Sequence, residues 1–269
     1  MVDERFSRTE LLLGPQAMQK LAQARVAVFG IGGVGGFCAE ALARSGVGAL
    51  DLIDHDRVSP TNANRQIVAL SSTIGRGKAQ VMAERIADIN PACRVTAREC
   101  FFLPDTADAI DLTQFDYMVD AVDTVTAKLL LAERAQATGV PLVASMGTAN
   151  KVDPTALRVG DIYETSMCPL AKIIRKECRK RGIEHLKVVY STEPARQPSQ
   201  QAQDAYRARM IAAAASADGQ ANATGLDTFG RAGVPGSTAF VPPAAGLILA
   251  SVVVRDLIAG CNAPTCAEN

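Results

Sequence analysis

Arg25-Val-Ala-Val-Phe29-Gly30-Ile-Gly32-Gly33-Val-Gly35 is the stretch on which the reading of this chain turns. A short apolar run that stops at glycine reads as a buried strand. The glycines that follow permit a tight turn, and helical spacing begins at Gly36 and continues to Ser45. Strand, glycine turn and helix in that order open a βαβ unit. Backbone N–H groups in such a turn can approach phosphate oxygens closely, and the helix N-terminus adds partial positive charge. Asp54 ends the next apolar run, Ala49-Leu-Asp-Leu-Ile53, where a carboxylate can accept hydrogen bonds from ribose hydroxyls.

The same alternation continues outward. Tyr117-Met-Val119 and Leu142-Val-Ala144 predict strands, and Val95 and Thr96 sit in a weaker one. Helical patterns at Lys78 to Ile89 and Val125 to Thr138 lie between them, and Thr9 to Ala24 has helical spacing broken at Gly14-Pro15. Strands alternating with helices imply a parallel sheet covered on both faces. The expected fold class is therefore α/β, a Rossmann-like, doubly wound, mostly parallel sheet with a C-terminal α/β extension. Residues 1–150 are read as the nucleotide-binding domain, and residues 151–269 as an extension within the same globular unit.

The texture changes after Asn150. Residues 167–181 read as an amphipathic helix, with Leu170, Ile173, Ile174 and Cys178 on one face and Lys172, Arg175, Lys176 and Arg179 on the other. Lys187 to Ser191 reads as a strand. Residues 195–223, rich in Ala, Gln and Ser, read as a mobile excursion with a helix at Asp204 to Ala215. Residues 225–238 carry four glycines and one proline. Pro242-Pro243 suit the first turn of the apolar helix that follows.

Composition excludes several classes. At 269 residues and 48% apolar, the chain buries a core without staples. Seven cysteines without a C-x-x-C pair give neither a secreted disulfide framework nor a zinc-ribbon pattern. The N-terminus carries no apolar signal segment, so a cytoplasmic location is expected. The longest apolar stretch, Ala244 to Val254, is too short for a bilayer span of about 20 residues, and reads as a buried or dimer-facing helix. Stable membrane insertion is not expected. The 28 basic and 28 acidic residues cancel, which argues against nucleic-acid binding through the overall field. Locally the balance is uneven: residues 172–187 hold seven Lys/Arg and two acids, a net of +5 against −5 elsewhere.

The glycine turn and Asp54 suit NAD as well as ATP. Asn62, Arg65 and Gln66 soon after Asp54-His55-Asp56, Lys78 at the start of a helix, and Asp123 past a strand separate the two. A triphosphate needs cations and its Mg²⁺ needs a carboxylate, whereas a dehydrogenase has no use for Arg, Lys and Asp converging on phosphates. The plain alternative is that these are unrelated surface charges.

This joint pattern of Gly-x-Gly-Gly-x-Gly, Asp-x-Asp, Asn-x-x-Arg-Gln, Lys and a late Asp resembles the ubiquitin-activating-enzyme-like superfamily, over most of residues 5–150. The resemblance implies ATP-dependent adenylation of a carboxylate. It implies that Gly30, Gly32, Gly33 and Gly35 cradle phosphates and that Asp54 and Asp56 line the nucleotide site. It places Asn62, Arg65 and Lys78 on the triphosphate, Gln66 in support of Arg65, and Asp123 on Mg²⁺. Arg5-Phe-Ser-Arg8 is similar to the N-terminal segment of these enzymes, which implies a homodimer in which Arg8 reaches the other subunit's phosphates. A solvated terminus is the simpler reading of Arg8.

Within that superfamily, three features resemble the tRNA threonylcarbamoyladenosine dehydratases. Paired C-x-x-C zinc ligands are missing, so no zinc is expected. Pro169-Leu-Ala-Lys172 runs into the basic helix and on to Val188-Val-Tyr-Ser191-Thr192-Glu193-Pro194, and Gly236-Ser-Thr-Ala-Phe240-Val-Pro-Pro243 precedes the apolar helix. The resemblance implies a tRNA partner, docked on Lys172, Arg175, Lys176, Arg179 and Lys180, and leaves room for a sulfur-transfer or carrier protein. The alternatives are an adenylyltransferase for a ubiquitin-like sulfur carrier and a non-catalytic nucleotide-binding scaffold. Cys168 is the best-placed thiol for a thioester, although a packed thiol is the more common fate. His55 and His185 lack spaced partners and read as surface residues.

Overall fold

The structure is a computed structural model that describes residues 3–216 and 234–261. Seven strands form one sheet, in the order β3 (Arg94–Arg98), β2 (Ala49–Ile53), β1 (Arg25–Phe29), β4 (Tyr117–Asp120), β5 (Leu142–Ser145), β7 (Lys187–Ser191), β6 (Leu157–Asp161). All neighbours are parallel except β6 and β7. This is the doubly wound α/β class expected from the alternation. The chain leaves β1 toward β2 and β3 and returns to β4 on the other side, so a crevice opens at the carboxyl ends of β1 and β4.

Burial follows from the two-sided cover. Every residue of β2, β4 and β5 is buried, as their unbroken apolar runs require. One core lies beneath α3 (Gly35–Arg44), α4 (Lys78–Ile89) and α8 (Val241–Leu257), the other beneath α5 (Val125–Thr138) and α6 (Pro169–Lys180). The N-terminal α1 (Ser7–Leu13) and α2 (Pro15–Gln23) divide at Gly14-Pro15, where Gly14 takes φ 82° and Pro15 occupies the first turn.

α8 is the buried helix that its apolar run predicted, entered through Pro242 and Pro243. It packs hard on α3: a Cβ on Gly246 would stand 2.2 Å from the Val34 carbonyl oxygen and 3.1 Å from the Cys38 nitrogen. Among the described residues no helix is long and apolar enough to cross a membrane.

The C-terminal part departs from expectation in four places. β6 was not foreseen, because it is an edge strand that buries Leu157 but leaves Arg158 and Val159 exposed. α6 turns a different face inward: Ala171, Ile174 and Cys178 are buried, while Ile173 is half exposed. Ile173 instead faces a groove beside Val125 and Leu129 of α5. Arg175 does not join the open basic face, since its guanidinium donates to the Thr165 carbonyl and hydroxyl oxygens at 2.6 and 2.7 Å. Finally, a helix, α7 (Gln200–Ser216), occupies most of the expected mobile excursion. It starts earlier than Asp204 because the Ser199 hydroxyl accepts the Ala202 N–H at its first turn. Residues 217–223 of that excursion, and the glycine-rich run up to Gly233, lie outside the described residues.

Candidate nucleotide-binding site

The glycine turn is built by contacts that tolerate no side chain. Gly30 takes φ 89° and its N–H donates to the Ile53 carbonyl at 2.8 Å, which ties the turn to β2. A Cβ on Gly35 would stand 1.7 Å from the Gly30 carbonyl oxygen, and one on Gly30 would meet the Ala121 oxygen at 2.7 Å. The turn is thus folded on itself and seated on the loop after β4, with the N-terminus of α3 directed at the crevice.

Asp54 lies beneath this turn. It is buried, and its carboxylate accepts the Ile31 N–H at 2.6 Å and the Asp56 N–H at 2.8 Å. Burial pushes its carboxyl up from the usual range; the Lys78 ammonium and the two N–H donors pull it back. The acid read as a ribose contact therefore also fixes the glycine turn. Asp56 carries Lys78: the buried ammonium donates to Asp56 Oδ2 at 2.6 Å, and the Lys78 N–H donates to the Asp56 carbonyl. His55 is the exposed residue expected, with its imidazole 2.9 Å from Asp56 and stacked on the Phe101 ring, centroids 3.3 Å apart.

Arg65 comes next to the phosphate turn through its stem. A Cβ on Gly33 would touch its Cγ at 3.1 Å, and Pro242 from α8 closes the other side at 3.3 Å. Its guanidinium donates to the Thr61 carbonyl and to Asn64 Oδ1. Burial lowers its pKa, while Tyr206 and Asp123 oppose the shift. A partly desolvated cation in that position gains from an anionic ligand. Asn62 shapes the segment, with Oδ1 accepting the Ser59 N–H at 3.1 Å in a capping box. Gln66 does not support Arg65 in the manner expected. No hydrogen bond joins the two, its amide lies beside Gly32, and its buried Oε1 has no partner. Ser237 Oγ, next to the Ser237 carbonyl that receives the Asn64 amide, is likewise buried and unpartnered. Two orphaned polar atoms, one beside the turn and one beside Asn64, suit a ligand rich in hydroxyls and phosphate oxygens.

Asp123 stands exposed in the turn after β4, and its charge is felt at Arg65. The turn hangs on a feature that the sequence reading missed. Lys128 of α5 and Asp120 of β4 are both 1% exposed, and the ammonium donates to Oδ1 at 3.0 Å and Oδ2 at 3.1 Å. A lysine inside an apolar helical pattern was the available signal. Arg8 is not part of this arrangement. It is exposed on α1, which Phe6 anchors against Gly46 at the far end of α3, about 15 Å of helix from the phosphate turn.

The basic helix is now divisible. Lys172 and Lys176 are exposed. Arg179 lies over the Tyr163 ring at 5.3 Å, and Lys180 pairs with Glu177 at 2.6 Å. Cys168 caps the N-terminus of this helix as a buried thiol, its sulfur 4.0 Å from the Gly147 carbonyl oxygen.

The model of the ThiF family matches residues 6–263. The chain belongs to the ThiF family. Among curated relatives, it is 40% identical over 254 residues to the tRNA threonylcarbamoyladenosine dehydratase of Bacillus subtilis (strain 168), covering 94% of each. Among solved structures, it is similar to E. coli tRNA N6-threonylcarbamoyladenosine dehydratase in complex with AMP, with TM-score 0.78, 34% identity, and 95% and 94% of the two chains covered. The complex of that enzyme with ATP gives TM-score 0.77 and 33% identity over the same shares. In this ThiF-family chain the glycine turn, Asp54, Asp56, Lys78 and Arg65 lie together at one crevice, with Asp123 at its rim.

Proposed function

We propose that this protein is an ATP-dependent tRNA threonylcarbamoyladenosine dehydratase that cyclises the threonylcarbamoyl group through adenylation of its carboxylate. The convergence of Arg65 and Lys78 on a glycine turn seated over Asp54 carries the reading, and likeness to dehydratases along almost the whole chain directs it to tRNA.

The chemistry follows from the substrate. Its carboxylate holds oxygen, a poor leaving group. A carboxylate oxygen attacks the α-phosphorus of ATP, the bond to the β-phosphate oxygen breaks, and pyrophosphate departs. A ureido nitrogen of the same group then attacks the activated carbonyl carbon. AMP leaves with the former carboxylate oxygen, a proton passes to solvent, and the ring is closed. Proximity within one molecule favours the second step. The protein's part is charge neutralisation and orientation. Arg65 and Lys78 hold the phosphates, backbone N–H groups of the glycine turn donate to the phosphate oxygens, and Asp54 accepts hydrogen bonds from the ribose hydroxyls. Gln66 Oε1 and Ser237 Oγ complete their hydrogen bonds on the ligand.

Asp123 fits a magnesium ion, because it is a free-standing carboxylate beside the turn and its field already reaches Arg65. Bound there, Mg²⁺ supplies charge for the leaving pyrophosphate. Arg8 serves a second copy's phosphates in a homodimer, a role favoured by its distance from the crevice of its own chain. Lys172, Lys176 and Arg179 meet the tRNA backbone, and Arg175 holds the helix in place instead of touching RNA. The working site is cytoplasmic, where charged tRNA substrates and ATP are present together.

Mass spectrometry of nucleosides from tRNA incubated with the protein, ATP and Mg²⁺ tests the reading. The expected product is lighter than threonylcarbamoyladenosine by one water. A folded, ATP-binding protein that leaves the modification open overturns it.

A further inference from the structure

The loop from Asp120 to Asp123 does two things at once. Its backbone seats the phosphate turn, since Ala121 N–H donates to the Phe29 carbonyl and the Ala121 oxygen closes on Gly30. Its tip presents Asp123. What fixes this loop is the Asp120 carboxylate, whose Oδ1 accepts the Val122 N–H at 3.1 Å. That carboxylate is in turn held by Lys128, which also donates to the Ser145 carbonyl at the end of β5 at 2.7 Å. One ammonium thus joins α5 to the ends of two adjacent strands, both of which run out at the crevice.

A buried ion pair is weak evidence for stability, because apolar residues of similar volume often replace one at no loss. The geometry here points to a different use. We infer that Asp120 and Lys128 are positioning residues, which hold the Val122–Asp123 tip of the loop so that Asp123 is aimed at the phosphates, while the Ala121 backbone, bonded to Phe29, keeps the glycine turn seated without them. The inference rests on the ATP reading above. It assigns the pair no contact with substrate; it acts through the loop.

Two charge-free pairs separate positioning from packing. In Asp120→Val/Lys128→Met no acceptor remains for the Val122 N–H; in Asp120→Asn/Lys128→Gln a neutral acceptor and a donor remain. ATP affinity is measured by calorimetry in Mg²⁺ and in EDTA, with a cooperative melt as proof of folding. The apolar pair is expected to lose about tenfold in Mg²⁺ and less than threefold in EDTA, and the neutral pair to stay within threefold of wild type in both. Asp123→Asn should show the pattern of the apolar pair, and combining the two should add nothing. Equal losses with and without Mg²⁺, or additive losses in the combination, overturn the inference. An apolar pair that folds and binds like wild type does so too.

Hydrogen exchange on the unaltered protein gives a test that does not depend on how the variants fold. The Val122 amide is expected to exchange far more slowly than the Thr124 amide; equal rates overturn the inference. Wild-type protein that binds no ATP under any condition overturns the nucleotide reading itself, a separate and recognisable failure.

Discussion

Around the phosphate turn, backbone meets backbone: Gly35 on the Gly30 oxygen, Gly30 on Ala121, Gly246 of α8 on Val34. Across α6, side chains do the positioning instead. Arg175 reaches back to Thr165, Arg179 covers Tyr163, and Lys180 pairs within its own helix. The first region allows almost no substitution, since each contact is fixed by the absence of a Cβ. The second is adjustable, because long side chains divide anchoring and exposure among themselves. That contrast suits a nucleotide of constant shape at one place and a large polyanion at the other.

The comparison breaks first at Arg65. Arg65→Ala is expected to slow tRNA-dependent ATP–pyrophosphate exchange about 10³-fold while the melting temperature moves little, because the guanidinium acts on phosphate charge. Wild-type exchange in the variant removes Arg65 from the site. Gly35→Ala should follow, with ATP affinity lower by about 100-fold, roughly 3 kcal/mol by calorimetry. If it binds as wild type does, the turn is softer than its 1.7 Å contact requires.

The basic helix should respond more gently. Replacing Lys172, Lys176 and Arg179 by Ser is expected to weaken tRNA binding about tenfold and to lower the slope of log affinity against log salt by about 2. ATP affinity should not change. An unaltered slope returns the helix to an ordinary solvated face. Arg175→Ser sharpens the division within the helix. It should leave the salt slope alone and lower the melting temperature by a few degrees, from the loss of about 2 kcal/mol of hydrogen bonding. The reverse outcome makes Arg175 an RNA contact after all.

The smallest effect concerns thiols. Burial pushes Cys93 and Cys178 up to about 11 and Cys38 higher still. At pH 8 all three are protonated and enclosed, so iodoacetamide should leave them unmodified until the chain unfolds. Rapid labelling of Cys178 in native protein means that α6 opens.

Four of the five parallel strands from Arg25 to Ser145, and the helices between them, were legible because each is a largely apolar run or a clear helical pattern bounded by glycine or polar residues; β3, Arg-Val-Thr-Ala-Arg, gave only a weak signal because it lies at the sheet edge. The candidate site was read from a related signal: Asp54 and Asp123 follow strand ends and Lys78 begins a helix, positions that a doubly wound sheet places at its carboxyl edge. Other features were hidden. β6 is an edge strand with little apolar content, so periodicity has nothing to register. The inward face of α6 was misjudged at Ile173 because a helical wheel does not know that α5 lies alongside. Gln66 was placed in support of Arg65 by the family resemblance, yet its amide turns to Gly32. Lys128 was hidden because a charge within an apolar helix shows its purpose only when Asp120 and Ser145 appear opposite it.

The seating of α8 on the phosphate turn sets an order of events in synthesis. Pro242 touches the Gly33 position and Gly246 lies against Val34, so residues far downstream in the chain complete a turn translated early. On a ribosome, the strands up to β5 can pair while the turn still lacks its backing. ATP capture by the nascent chain is thus expected only after residues 241–257 emerge, and stalled chains ending before Val241 should retain no nucleotide. Nucleotide capture by a nascent chain would thereby report that α8 has docked on the turn.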